Sequence, residues 1–359
     1  MGKLYLDNIV FSLQKSGGIS IVWYELLKRL LASQYQKDIC LLEYEGKECN
    51  MFRSILRIPA GVRVLSCKPR FLSVARYLNP FVKADGRFLF HSSYYRTCSN
   101  SRAVNITTVH DFTYEYYVKG LRKWIHCWQK HRAIRKSDYV ICVSENTKRD
   151  LLHFLPDVDA DKVRVIYNGV SDDYYPLNDV AGLALPYAFQ SYALFVGSRA
   201  SYKNFPLAVE AVSMTDLNLV IVGGALSATE QELLDKYLAG RYYYAGHVSN
   251  QQLNRYYNGA FCLIYPSAYE GFGIPVIEAQ KAGCPVIAAK VSSIPEVMGD
   301  VSFLLPQLSV ESVVEHVNQL KDSSFRKSLV EKGWQNMGRF TWDIMYEQVL
   351  KLYEQALMA

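Results

Sequence analysis

Short apolar runs recur along the chain, each followed by a glycine-rich or polar loop and then by apolar residues at helical spacing, the pattern of alternating strands and helices. In the first half the runs predict strands at Leu4–Phe11, Ile39–Glu43, Val62–Leu65, Phe88–Phe90, Ala103–Val109, Tyr139–Val143 and Val163–Ile166. In the second half they predict strands at Tyr192–Val196, Leu217–Val222, Tyr242–Ala245, Ala260–Ile264, Pro285–Ala288 and Val301–Leu305. Most are continuously apolar rather than alternating, as strands buried on both faces of a parallel sheet are. Helical spacing is clearest at Ile19–Ala32, after Ser144 as an N-cap, at Pro206–Val212, from Pro275 to Gly283, from Val310 onward, and in the closing FTWDIMYEQVLKLYEQAL. The residues between 33 and 105 are harder to parse.

Such alternation in two halves predicts an α/β protein of two Rossmann-like domains. The boundaries expected are a first domain over 1–175, a linker over 176–191 where the chain is acidic, aromatic and proline-punctuated, a second domain over 192–338, and a terminal helix over 339–359. A chain of 359 residues, half of them hydrophobic, is long enough for each domain to bury its own core.

Charge is uneven. Residues 1–180 hold 27 Lys and Arg against 18 Asp and Glu, net +9, whereas 181–359 hold 13 against 16, net −3. The first domain is therefore expected to meet something anionic, a membrane surface or a phosphorylated acceptor; no nucleic-acid motif is present. The segment Lys119–Lys136 carries seven cations and no carboxylate, with Trp124 and Trp128 four apart on one helical face. Two readings stand: an interfacial helix on an anionic membrane, or two rings facing the core with solvated charges around them. The eight cysteines lack the close paired spacing of zinc or redox sites, and no run of eighteen apolar residues exists. A reducing, cytoplasmic location is expected, with attachment to the inner face of a membrane depending on that segment.

The richest chemistry lies in Tyr265–Ala279, YPSAYEGFGIPVIEA. It places Glu270 in a strand-to-helix loop, Glu278 in the helix, and Gly271 and Gly273 where backbone must come close to a ligand. A helix start favours phosphate, and ionised carboxylates accept hydrogen bonds from sugar and ribose hydroxyls. Arg199 and Lys203 flank the turn before another helix, as a departing diphosphate requires. Gly17 and Gly18 make a second glycine-lined helix entrance, and His110 with Asp111 ends a strand at the edge where open α/β sheets bind ligands.

The E-x7-E pattern with EGFG-x-P between a buried strand and a helix resembles the donor site of retaining GT-B glycosyltransferases of the large family 4, bacterial mannosyltransferases among them. The resemblance is dense over 190–300, looser over 103–170 and thin over 33–100. It implies a retaining, metal-independent transfer of a hexose, mannose favoured and GDP-mannose ahead of UDP-glucose and other UDP-hexoses, to a glycan or lipid-linked glycan in cell-surface polysaccharide synthesis such as that of lipopolysaccharide. It further implies catalytic or sugar-orienting roles for Arg199, Lys203, Glu270 and His110. Donor contacts would come from Gly17, Gly18, His247, Val248, Gly271, Phe272, Gly273, Ile274 and Glu278. The terminal helix would cross back to the first domain. No cofactor is implied, and the DxD-like run Asp157–Asp161 follows a helix rather than the strand where a metal motif belongs. An epimerase or hydrolase on the same fold would also bind the diphosphate, and a catalytically silent binding protein would tolerate loss of the carboxylates.

Overall fold

In a computed structural model that describes residues 3–68, 72–179, 184–299 and 303–358, the apolar runs become parallel strands. Two units result: residues 1–169 with 342–359, and residues 170–341. The first unit contains β1 (Leu4–Asp7), β2 (Ile39–Tyr44), β3 (Arg63–Cys67), β4 (Phe88–Ser92), β5 (Ala103–Val109), β6 (Tyr139–Cys142) and β7 (Val163–Val165), ordered β3-β2-β1-β4-β5-β6-β7. The second contains β8 (Tyr192–Val196), β9 (Asn218–Val222), β10 (Tyr242–Gly246), β11 (Cys262–Tyr265), β12 (Val286–Ala289) and β13 (Leu304–Leu305), ordered β10-β9-β8-β11-β12-β13. Strand order therefore reverses between β1 and β4 in one sheet and between β8 and β11 in the other. Those reversals open crevices at the carboxyl edges.

The sequence reading placed the first strand over Leu4–Phe11, but the strand stops at Asp7 and Val10–Leu13 forms a helical turn. Polar side chains end the ladder. Asp7 is fully buried and takes Arg96 Nε at 2.9 Å and Ser92 Oγ at 2.7 Å, while Asn8 donates to Glu43 Oε1 at 2.9 Å and accepts from Trp23 Nε1 at 2.8 Å. The linker expected over 176–191 is also displaced, since the division between the units falls between Gly169 and Val170. The reason is hydrogen bonding: Asn254 Oδ1 accepts from Tyr175 N–H at 3.1 Å and Asn258 Oδ1 from Leu177 N–H at 2.8 Å, which binds the segment to the helix Asn250–Gly259 of the second unit. The expected strand Val301–Leu305 is seen only as Leu304–Leu305, residues 301 and 302 lying outside the described residues.

The final helix, Trp342–Met358, belongs to the first unit. It lays Trp342, Met345, Val349, Leu352 and Tyr353 against the core that Trp23, Leu26, Leu27 and Leu30 of the helix Gly18–Ala32 share with β1 and β2. Tyr353 is completely buried, and its hydroxyl lies 2.6 Å from His91 Nδ1. The last residues thus complete a core begun by the first. Leu352, 3% exposed, is accordingly expected to cost about 2–5 kcal/mol on truncation to Ala. Denaturant unfolding followed by hydrogen exchange should show the loss in residues 3–169 and 342–358 while the protection of 170–341 stays as in the parent.

Candidate functional site

In the second unit, β8 ends at Val196 and the chain turns through Gly197 towards Arg199 and the short turn Ser201–Lys203. Asn204 then adopts the left-handed region, with φ of 51°, and Pro206 sits in the first turn of the helix Phe205–Ser213. The Arg199 side chain, 5% exposed, reaches the end of β9: Nη2 donates to Gly224 O at 2.7 Å and Ala225 O at 2.6 Å, and Nε donates to Glu230 Oε1 at 2.8 Å. Its Nη1 is buried without a hydrogen-bond partner, although a buried guanidinium N–H ordinarily finds one. Beside it Gly223 has φ of +151°, and a Cβ there would lie 2.3 Å from Gly197 O. The backbone crossing requires glycine.

From β11 the chain enters the loop that holds Glu270. Lys203 Nζ is ion-paired to Glu270 Oε1 and lies 3.3 Å from the Tyr265 hydroxyl. The loop is pinned from the far side: Ser292 Oγ accepts from Glu270 N–H at 2.9 Å, and Ser293 Oγ lies within 3.0 Å of Glu270 O and Phe272 O, donating to them. Ser292 holds φ of 50°, a conformation seldom adopted by residues other than glycine, asparagine and aspartate. Gly273 then caps the helix Ile274–Ala282 from the left-handed region, with Pro275 in its first turn, and Gly283 ends it with φ of 82°. Glu278 projects from this helix into a buried setting, 9% exposed, and accepts from the Tyr257 hydroxyl at 3.1 Å. Burial pushes its carboxyl up to about 7 against the hydrogen bonds of Tyr257 and Tyr174, which pull it down.

Lys203 and Glu270 come together at the reversal between β8 and β11, and Arg199 meets the end of the adjacent β9. Gly271 and Gly273 are in the same loop, with Ile274 at its helical end. The Phe272 ring is 4% exposed and packs edge-on against Phe340 at 5.6 Å, which leaves backbone rather than ring to offer a ligand at this position. His247, exposed, and Val248, half-buried, follow β10. Gly223, Ser292, Ser293, Tyr174 and Tyr257 were missed by sequence reasoning, since serines, tyrosines and single glycines are common everywhere and only their distances single them out.

In the first unit, Gly17 precedes the helix Gly18–Ala32 and its carbonyl accepts from Ser20 Oγ at 3.1 Å. His110 follows β5 and, with His91, Ser92, Ser93, Thr108 and Asn168, lines a cavity of about 30 Å³. Burial brings His110 down to about 4 and His91 to about 3, so both rings are neutral at physiological pH. A neutral imidazole offers one donor and one acceptor to a hydroxylated ligand. Asp157 of the DxD-like run pairs with Arg135 Nε at 2.7 Å, and Asp159 accepts from Asp161 N–H at 2.8 Å.

The helix Gly120–Lys136 keeps both tryptophans out of the core, contrary to one of the two readings: Trp124 is 65% and Trp128 45% exposed. Its cations are not all on the surface, however. Lys130 is fully buried, ion-paired with Glu115 Oε2 at 2.6 Å, and although burial raises the Glu115 carboxyl, His131 and Lys130 draw it down to about 2. Arg132 lies over the Trp128 ring at 5.3 Å. All eight cysteines are free, with Cys142 and Cys262 wholly buried in strands.

Comparison with known proteins places this geometry. Residues 188–336 match the model of Glycosyl transferases group 1, and residues 16–174 that of Glycosyltransferase Family 4. The O-antigen chain mannosyltransferase B of Escherichia coli is 26% identical over 94% of this chain and 96% of its own. The O-antigen chain mannosyltransferase RfbU of Salmonella typhimurium is 28% identical over 64% of this chain and 66% of its own. Among solved structures, sucrose-phosphate synthase of Thermosynechococcus elongatus superposes with a TM-score of 0.79 at 20% identity, covering 99% of both chains. WaaG, a glycosyltransferase involved in lipopolysaccharide biosynthesis, does so at 0.73 and 15%, covering 98% of this chain and 99% of its own. With one model on each half and relatives aligned over nearly its whole length, this chain belongs to glycosyltransferase family 4 and has the GT-B fold.

Proposed function

We propose that this glycosyltransferase moves a hexose, mannose favoured, from a nucleotide diphosphate sugar to a glycan or lipid-linked glycan of a cell-surface polysaccharide, with retention of configuration and without a bound metal. The observation that carries the reading is the pairing of Lys203 with Glu270 beside an Arg199 whose Nη1 is buried and unpartnered. Two cations at the carboxyl edge match the two phosphates of a departing nucleoside diphosphate. As the sugar bond breaks, charge collects on the leaving oxygen, and guanidinium and ammonium groups fixed in place stabilise it there. They supply the positive charge that a divalent ion would otherwise bring. Glu270 accepts from sugar hydroxyls and Glu278 from the ribose, while neutral His110 orients the transferred sugar. Attack by the acceptor on the face the leaving group vacates needs no protein nucleophile, and none is assigned. Mannose is favoured by the two O-antigen mannosyltransferases that align with this chain; a UDP-hexose is the competing donor, since Alr3699/HepE of Anabaena, solved with UDP-glucose, has a TM-score of 0.73 to this chain.

For the acceptor side, the exposed Trp124, Trp128 and Leu121 beside Lys119, Arg122, Lys123, Arg132 and Lys136 support peripheral attachment to an anionic membrane. No helix among the described residues is long and apolar enough to cross one.

Release of nucleotide from a panel of sugar nucleotides, with and without lipid-linked acceptor, tests the reaction; release only in the absence of acceptor dependence would favour the hydrolase. Arg199→Ala and Lys203→Ala are expected to lower kcat by about 10²–10³-fold with smaller changes in donor affinity, and EDTA is expected to leave turnover intact. Glu278→Ala should weaken binding of the intact donor by about 1.5–3 kcal/mol in calorimetric titration of a folded protein. Each surface cation near an anionic bilayer contributes about 1 kcal/mol, so converting Arg122, Lys123, Arg132 and Lys136 together to Gln should abolish salt-sensitive co-sedimentation with phosphatidylserine-containing vesicles. Because both rings are exposed, Trp124→Ala and Trp128→Ala should weaken that sedimentation while leaving thermal stability unchanged. Unaltered sedimentation in all of these variants would remove the helix from the membrane.

A further inference from the structure

Glu278 is an expensive residue to bury. Its helix, Ile274–Ala282, is otherwise buried through Val276, Ile277, Ala279 and Ala282, and a carboxylate in such surroundings needs hydrogen bonds to its charged form. Tyr257, fully buried on the helix Asn250–Gly259, provides one, donating its hydroxyl to Glu278 Oε2 at 3.1 Å. Tyr174, 2% exposed, comes from the extended segment that opens the second unit; its hydroxyl donates to Asn250 Oδ1 at 3.3 Å and is near enough to Glu278 to draw its carboxyl down. The two rings pack edge to face, 5.8 Å apart, so each fixes the other.

We propose that Tyr257 is a positioning residue for donor capture and that Tyr174 braces it: the Tyr257 hydroxyl holds the Glu278 carboxylate in one orientation, leaving its remaining lone pairs for the ribose diol. The inference rests on the reading of Glu278 as the ribose-binding residue. An ionised carboxylate has about four lone-pair sites, so one tyrosine donor leaves room for two ribose hydroxyls. Without that hydroxyl the carboxylate would be free to rotate, and burial, less opposed, would favour its protonated form. A protonated carboxyl gives one of those sites to its own proton and presents a donor where the ribose needs an acceptor.

Among the described residues no cation acts on Glu278. Lys281, three residues further on the same helix, is turned to Ser171 O at 3.1 Å and Asp172 Oδ1 at 2.7 Å. Burial, and after it Glu278 itself, raises both tyrosine hydroxyls, with Asp173 adding to the effect on Tyr174 and Cys284 to that on Tyr257, so both stay protonated and able to donate. With Glu278 raised by burial to about 7, the sign of the pH effect is fixed: the acceptor form predominates above that value and is lost as pH falls through it. Affinity for donor should therefore fall by up to about tenfold per pH unit on the acid side.

The test is calorimetric titration of the full chain with intact GDP-mannose and UDP-glucose between pH 5.5 and 8.5, whose phosphodiester charges do not change over that range. The variants are Tyr174→Phe, Tyr257→Phe and Glu278→Gln. Tyr192→Phe serves as a control, since Tyr192 is equally buried in the same unit but donates to Tyr256 O at 2.8 Å. Removing the Tyr257 hydroxyl should weaken binding at pH 7 about 3–10-fold and move the acid midpoint up by about one pH unit, Tyr174→Phe should move it the same way by less, and Tyr192→Phe should leave it alone. Glu278→Gln should weaken binding and flatten the profile. If Glu278→Gln flattens the profile but both tyrosine variants keep the parent midpoint, the positioning role is overturned and the ribose reading stands. If Glu278→Gln leaves affinity and profile as in the parent, the ribose reading falls and the positioning role with it.

Discussion

The parallel pairing of β8 with β11, Ala193 with Cys262 and Leu194 with Leu263, is the constraint on which the second unit's chemistry depends. These strands are distant in sequence, and their apolar side chains are buried on both faces, so the register is held by packing as much as by the ladder. Because both run the same way, the loop after Val196 and the loop after Tyr265 leave the sheet at one edge. That shared exit brings Lys203 to Glu270 across 67 residues of sequence. Gly223 and Gly197 let the end of β9 approach the same place, and no side chain could replace the glycine at 223 without moving backbone.

The charges so gathered are already neutralised internally. Arg199 is engaged by Glu230 and two carbonyls, and Lys203 by Glu270. Pairing holds the cations at fixed points before any anion arrives, which is the condition under which fixed charges act on a transition state without reorganising. It also sets a cost, because a diphosphate must share or displace those partners. The orphaned Nη1 of Arg199 is the exception, a donor already desolvated and not yet used.

In the first unit the corresponding edge is quieter. His91 and His110 are neutral, held there by burial, and His91 is fixed between Tyr353 and Thr108 at 2.6 and 2.9 Å. The positive charge of this unit is instead carried partly by the helix Gly120–Lys136, where Glu115 removes Lys130 and draws Lys123 to its carbonyl at 2.6 Å. What remains outside is a face of tryptophans and cations rather than a uniform basic surface.

Much of this was legible in the chain itself. Continuous apolar runs marked eleven of the thirteen strands among the described residues to within two residues, because a strand buried on both faces has nowhere to place a polar side chain. The capping role of Ser144, which accepts from Thr147 N–H at 3.0 Å, and the proline and glycine limits of the helix Ile274–Ala282 followed from local backbone chemistry alone. The first strand was overrun because Asp7 and Asn8 end it through partners 15 to 89 residues away, most of them outside any local window. For the same reason, the spacing of Glu270 and Glu278 pointed to a candidate loop, but only tertiary structure paired Glu270 with Lys203, placed Tyr257 on Glu278, and buried Lys130 while leaving Trp124 outside. Local sequence determines which backbone conformation is cheapest; which charges are desolvated, and by whom they are met, depends on elements that become neighbours only when the sheets form.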